Sequence, residues 1–286
     1  MRSACILVAI ALCACSSSPS REAEHDRTAP LATNVRVVSL APSMTEALFA
    51  IGAGDSVVGV SRYCDFPEEA THRPRVGGFL DPSLEAILAL SPTLVVGARS
   101  PSNRGVVDTL ERHQVAVYFP EDESMAGVRE MLRELGSRTH HERQADALVA
   151  SMNQHLLAIE SALAGRARPR VLLVFNQNPL SVAGPGTFPD EMLRRAGGDN
   201  AVREGTGYPT LSIERVMELS PDVIIEAWMG ASAPRASDWS RYTSIPAVAN
   251  HRVVAIEDER LLRPGPRLVD GVAVLARVIH PDATVP

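Results

Sequence analysis

Glu85 and Glu214 stand at the same place in two copies of one pattern, SLEAILALSPTLVVG at 83–97 and SIERVMELSPDVIIE at 212–226. Each copy reads as a short helix, a Ser-Pro turn and a buried strand. Ser83 and Ser212 are expected to cap the two helices, which puts each glutamate in a first turn, where a carboxylate interacts favourably with the helix dipole. The alternative is chemistry between molecules: two outward carboxylates offered to a basic partner. The residues alone leave both readings open. The copies lie too far apart for a short-period solenoid and suggest two similar lobes with a site between them.

Catalytic patterns are missing. There is no GxxxxGK[ST] loop, no GxGxxG after a strand, no GxSxG elbow and no HExxH. Gly184-Pro185-Gly186 places proline where a phosphate-cradling amide would be needed. Cys64 and His72 share a loop without a spacing that defines a thiol–imidazole pair. His140 and His141 are helix neighbours pointing about 100° apart, unlike i,i+4 metal ligands. The expectation is a protein that is not an enzyme, with no metal site and no cofactor.

Aromatic residues are only 4% of the chain, so those in loops are informative. Tyr63, Phe79, Tyr208, Trp228 and Trp239 all fall beside expected strands or before the repeat copies. In open α/β sheets the loops beyond the carboxyl ends of the strands form the ligand crevice, and such rings could wall a large flat ligand. Core filling is the ordinary alternative for any one of them.

The elements that must position these residues alternate between strand and helix. Arg36–Leu40 (RVVSL) reads as a buried strand, Ser43–Glu46 as a capping box opening a helix, and Val57–Val60 as a second strand. A loop, Ser61–Pro67, leads to the first repeat copy, followed by a helix over Asn103–His113 and a strand over Val115–Phe119. Between the copies lie a helix over 124–135 stopped by Gly136 and a long one over 139–164, about 37 Å of helix at the midpoint of the chain. That length suits a strut between two lobes, with one more layer helix in a single sheet as the plainer alternative. The second half restarts at Arg170–Phe175 (RVLLVF), passes a Pro/Gly-rich loop and a helix over Pro189–Ala196, and ends with a strand over Val253–Ile256 and a helix over Leu268–Ile279. This is the signature of α/β architecture with parallel strands.

With 286 residues, 45% of them hydrophobic, the chain is long enough for two α/β lobes. A net charge of −6 without basic clusters argues against nucleic acid as a partner. Arg2 precedes an apolar run from Ala4 to Ala14, too short for a permanent membrane span and suited to an export signal. Leu12-Cys13-Ala14-Cys15 resembles a bacterial lipobox, which would make residues 1–14 the signal peptide and Cys15 the lipidated first residue; a plain secretory signal is the alternative. Residues 15–34 are polar and Pro/Ser-containing and read as a tether spanning on the order of 25 Å. Cys64 is then the one unlipidated thiol of the mature domain, so neither an internal disulfide nor a multi-cysteine site is expected.

Taken together, VVSLAPSMTEALFAIGAGDSVVGVSRYCDFP, SLEAILALSPTLVV, VAGPGTFPDEMLRRAGGDNAV and RPGPRLVDGVAVLARVIHP resemble the substrate-binding lipoproteins of ABC importers, in the vitamin B12 and ferric-siderophore class. The similarity covers residues 35–281. It implies two Rossmann-like α/β lobes (35–136 and 167–286), a single backbone helix between them (137–166) and a ligand cleft between the lobes. It also implies a monomer, lipid-anchored on the periplasmic face of a bacterial membrane, that delivers a corrinoid to a permease with its ATPase. Glu85 and Glu214 would meet arginines of that permease. Pro42 and Tyr63 would belong to the corrinoid site, and Arg263 falls on a cleft arginine. Glu259 replaces a cleft aspartate, Phe79 and Tyr208 replace tryptophans, and Ala98 stands where the vitamin B12 proteins carry another. Trp228, equivalent in the second copy to Arg99, could compensate. A ferric siderophore or haem would use the same scaffold, with Arg263 or Arg99 meeting its carboxylates or iron-bound oxygens.

Overall fold

The computed structural model describes residues 35–100, 103–120, 124–228 and 239–286. The expected signal peptide, Cys15 and the tether 15–34 lie outside the described residues, as does the side chain of Trp228. Residues 34–286 form one compact unit built around two sheets.

In the first half, β1 (Val37–Ser39), β2 (Val57–Val60), β3 (Leu94–Val96) and β4 (Ala116–Tyr118) make a parallel sheet of order β2-β1-β3-β4. Its helices are α1 (Pro42–Ala50), α2 (Glu68–Thr71), α3 (Leu84–Ala89) and α4 (Arg104–Arg112). Two helices follow, α5 (Met125–Thr139) and α6 (Glu142–Ala162). The second half contains β5 (Arg170–Gln177), β6 (Leu180–Val182), α7 (Phe188–Arg195), β7 (Asp199–Asn200), α8 (Ile213–Leu219), β8 (Val223–Trp228), α9 (Pro246–Ala249), β9 (Val253–Glu257) and α10 (Leu268–Ile279). Here the order is β6-β5-β8-β9, with β7 also pairing β5. β5, β7, β8 and β9 run parallel, and β6 returns antiparallel to β5. The repeat strand, β3 or β8, has the same neighbours in both sheets: the first strand of its lobe and the strand after the next helix.

The strands alternate between two apolar layers, as a period of two requires. Val37, Val96, Val171, Leu173, Val223 and Ile225 face one core that also takes in α1, α5, α6, α7 and α10 from both halves. Val38 and Val95 face an outer layer with Ile87 of α3, whereas Leu172 and Ile224 face another with Val216 of α8. The repeat helices therefore cover the outer face of each lobe, and the inner faces share a continuous core through α5 and α6. A core of this kind resists large changes in lobe orientation.

The two copies of the repeat agree down to their backbone. Ser83 caps α3 by accepting from Ala86 N, and Ser212 caps α8 by accepting from Arg215 N. The helices end in Ser-Pro turns with Ser91 at φ +45° and Ser220 at φ +46°, both left-handed. Each lobe then uses an arginine at the opening of its first strand to clasp the turn. Arg36 Nη2 donates to the carbonyl oxygen of Leu90 at 2.7 Å. Arg170 reaches the carbonyl of Leu219 at 3.4 Å and pairs with Asp222. The Arg170 hydrogen bond holds the Asp222 carboxyl below the usual range.

Three expectations are corrected. Ser43–Glu46 is not a capping box: Pro42 occupies the first turn, Ala41 precedes the helix without a side-chain cap, and Ser43 and Glu46 lie inside α1. Gly136 does not stop its helix. α5 continues to Thr139 and ends where His140 takes a left-handed backbone at φ +61°. Gly136 instead permits close packing, because a Cβ there would stand 2.7 Å from the Cβ of Ala145 on α6. Gly136→Ala should thus destabilise the fold by about 1–3 kcal/mol through overpacking, seen as a lower urea midpoint at unchanged m-value. The loop after β5 is not irregular throughout, since Asn178-Pro179 turns the chain into the β5–β6 hairpin.

Candidate ligand cleft

The two halves meet where the start of α1 faces the Arg263-Pro264-Gly265-Pro266-Arg267 loop. Proline at the first turn of α1 loses nothing, because the amide it lacks would have no helical partner. Gly265 brings the backbone close: a Cβ there would lie 3.7 Å from Ser43. Pro264 shares a small void with Ser43, Met44, Ala98, Pro120, Val128 and Met131. Ala98, at the end of β3, thereby belongs to the floor of the seam. Its small side chain leaves the proline loop room.

A cluster of charges crosses the same seam. Arg267 donates from Nε to Glu46 Oε2 at 2.7 Å and from Nη2 to Glu46 Oε1 at 2.6 Å, a two-pronged pair between the halves. Arg263 Nη1 lies 3.2 Å from Glu46 Oε1 and 3.1 Å from Asp65 Oδ1, and its Nη2 lies 2.6 Å from Glu259 Oε2. Arg267 also reaches Glu259 Oε1 at 3.2 Å. The Glu46 side chain is 2% exposed and that of Arg263 16%. The hydrogen bonds to Glu46 hold the Arg267 guanidinium well above its usual value. Phe66 completes the arrangement, with the Arg267 guanidinium carbon 4.0 Å from its ring centre.

The loop Ser61–Pro67, which carries Tyr63, is thus held to the second half through Asp65 and Phe66. Its ring is 53% exposed and stacks with Arg62 at 5.7 Å. Cys64 is buried, its sulfur bonded by Thr45 Oγ1 at 3.0 Å and close to Ser61 Oγ, so it anchors the loop from below. Tyr208 is 55% exposed and packs edge-on against Phe175 of β5. Pro42 is half-buried at the start of α1. Phe79 is half-buried against the shared core. Arg99, beyond β3, lines a separate hollow with Asn103, Arg104 and Phe119. Trp228 closes β8 with its backbone paired to Glu257.

Trp239 does not wall the cleft. It is 4% exposed and its indole donates to the buried Glu226 at 2.8 Å. Glu85 and Glu214 are both exposed on their outer helices. The Glu214 carboxyl is held below its usual range by its own backbone amide and by Ser212.

The cluster therefore brings together Arg263 and Glu259, foreseen from the sequence, with Glu46, Asp65 and Arg267, which were not. A depression of about 490 Å³ lies on the α6 side of this cluster, lined by Phe49, Leu148, Met152 and His155 among others. Its lining also includes Glu46, Phe66, Pro266 and Arg267, so it borders the charge cluster itself. Among the described residues, no group of three His, Cys, Asp or Glu side chains could hold a metal ion.

Comparison with known proteins places this geometry. The family model described as periplasmic binding protein matches residues 37–259. An uncharacterized ABC transporter substrate-binding lipoprotein of Bacillus subtilis is 30% identical over 254 residues, 86% of this chain and 80% of the relative. A vitamin B12-binding protein of Yersinia pseudotuberculosis is 28% identical over 244 residues, 85% of each chain. The periplasmic haem-binding protein RhuT of Roseiflexus sp. RS-1 superposes with a TM-score of 0.73 at 26% identity, covering 86% of this chain and 98% of that one. The chain therefore belongs to the periplasmic binding protein family, the substrate-binding components of ABC importers, which serve transport rather than catalysis.

Proposed function

We propose that the protein captures cobalamin or a related corrinoid between its lobes and delivers it to the permease of an ABC importer, working from a lipid anchor on the periplasmic face of a bacterial membrane. The observation that carries the choice of ligand is the charge at the seam. Two guanidiniums are matched there by three carboxylates, so among the described residues the cluster leaves no surplus cation to attract an anionic ligand. A large ligand with little net charge must instead be held by stacking and neutral hydrogen bonds, and Tyr63 presents an exposed ring on the loop that Asp65 ties to that cluster. The vitamin B12-binding relatives support the same reading.

Tyr63→Ala should weaken binding of cyanocobalamin about tenfold, since a stacked aromatic contact contributes roughly 1–3 kcal/mol. Isothermal titration of wild type and variant measures this, and equal affinities would remove Tyr63 from the site. A ferric siderophore or haem is the second reading. It is favoured by the same exposed phenol, because a tyrosine oxygen is a ligand for haem iron.

A further inference from the structure

The three carboxylates around Arg263 are not equivalent. Glu46 and Glu259 are each also bound by Arg267, so their contacts with Arg263 are backed by a second guanidinium. Asp65 has its ion pair with Arg263 alone among the described residues, and its side chain is 63% exposed. It rides on the loop that carries Tyr63, and it covers the outer side of a guanidinium that is itself 16% exposed.

We propose that Asp65 is a specificity-determining residue of the cleft: by occupying Arg263 from the solvent side, it denies that cation to ligand carboxylates. The inference rests on the corrinoid reading and deepens it. A carboxylate approaching Arg263 must first expel Asp65, and it then lies close to Glu259 and Glu46. Like charges brought together in this way act against the wrong ligand, while an uncharged ligand leaves the pairs in place. Arg263 is therefore a structural cation rather than an anchor for anions.

The test compares two corrinoids of nearly equal size, cyanocobalamin and its monocarboxylic acid, which differ by one negative charge. Titrations use the soluble chain from residue 16, as wild type, Asp65→Asn and Asp65→Glu, with thermal melts confirming that each is folded. Wild type should bind the carboxylate more weakly. Asp65→Asn should reduce that ratio of dissociation constants about fivefold, near the upper end for a partly exposed ion pair, and Asp65→Glu should preserve it. An unchanged ratio in Asp65→Asn would overturn the proposal. If wild type binds neither corrinoid, the corrinoid reading itself fails, and haem against its dimethyl ester then measures the charge discrimination separately. No difference between wild type and Asp65→Asn with that pair, or no binding of either, would also overturn it.

Discussion

Replacing Glu46 with alanine should lower the stability of the folded protein by about 3 kcal/mol, because it leaves two partly buried guanidiniums without their shared buried partner. The side chain is 2% exposed and receives both prongs of Arg267, with Arg263 as a third donor. Glu259 and Asp65 are already engaged and cannot replace a carboxylate at the buried side of the cluster. Urea unfolding should show a lower midpoint at unchanged slope. Arg267→Ala strands the opposite charge and should cost a comparable amount. The double variant should cost less than the sum, because it removes both members of the pair. Additive effects would mean that the cross-lobe pair adds nothing beyond its separate side chains. Since the pair ties the middle of α1 to the start of α10, the singles should also loosen the floor of the cleft and raise the ligand off-rate.

The second large effect concerns delivery. Charge reversal of both repeat glutamates, Glu85→Arg with Glu214→Arg, should abolish uptake in cells while purified protein binds its ligand with nearly unchanged affinity. Both residues lie exposed at the first turns of α3 and α8, on the outer faces of their lobes and away from the seam. The serine caps fix those turns. Glu214 also has its carboxyl held below the usual range, which keeps it ionised well into acid. Fixed carboxylates, one per lobe, can set the orientation and encounter rate of a partner with complementary arginines. Reversal converts attraction into repulsion at both points. Loss of ligand affinity in the purified double variant would instead assign the glutamates to the cleft.

What could be read in advance was local. The repeat could be recognised because its caps, its Ser-Pro turns and its apolar spacing are all set within a short span of chain. The echo of RVVSL in RVLLVF marked the equivalent first strands, and the structure adds that the arginine opening each one clasps its repeat turn. The errors were local patterns overruled by packing. Ser43 and Glu46 have the spacing of a capping box, but Pro42 claims the first turn and Glu46 is drawn across the seam. Gly136 looks like a helix stop, yet it is needed where α5 presses on Ala145. Trp239, in contrast, follows the core-filling alternative, with its indole held by a buried carboxylate.

The charge cluster could not be read from spacing, because Glu46 is separated by more than two hundred positions from the arginines it meets. Asp65 sat unnoticed for the same reason, although its neighbour Tyr63 was singled out. The resemblance pointed to Arg263 as a cleft residue. Only the three-dimensional arrangement identifies the carboxylates that neutralise it.

The most direct measurement is a titration panel on the protein from residue 16 onward, with cyanocobalamin, a ferric hydroxamate and haem. Submicromolar binding of cyanocobalamin, with much weaker binding of the dianionic haem and of the iron chelate, is the predicted result. Submicromolar binding of haem or the iron chelate with none of cobalamin would contradict it.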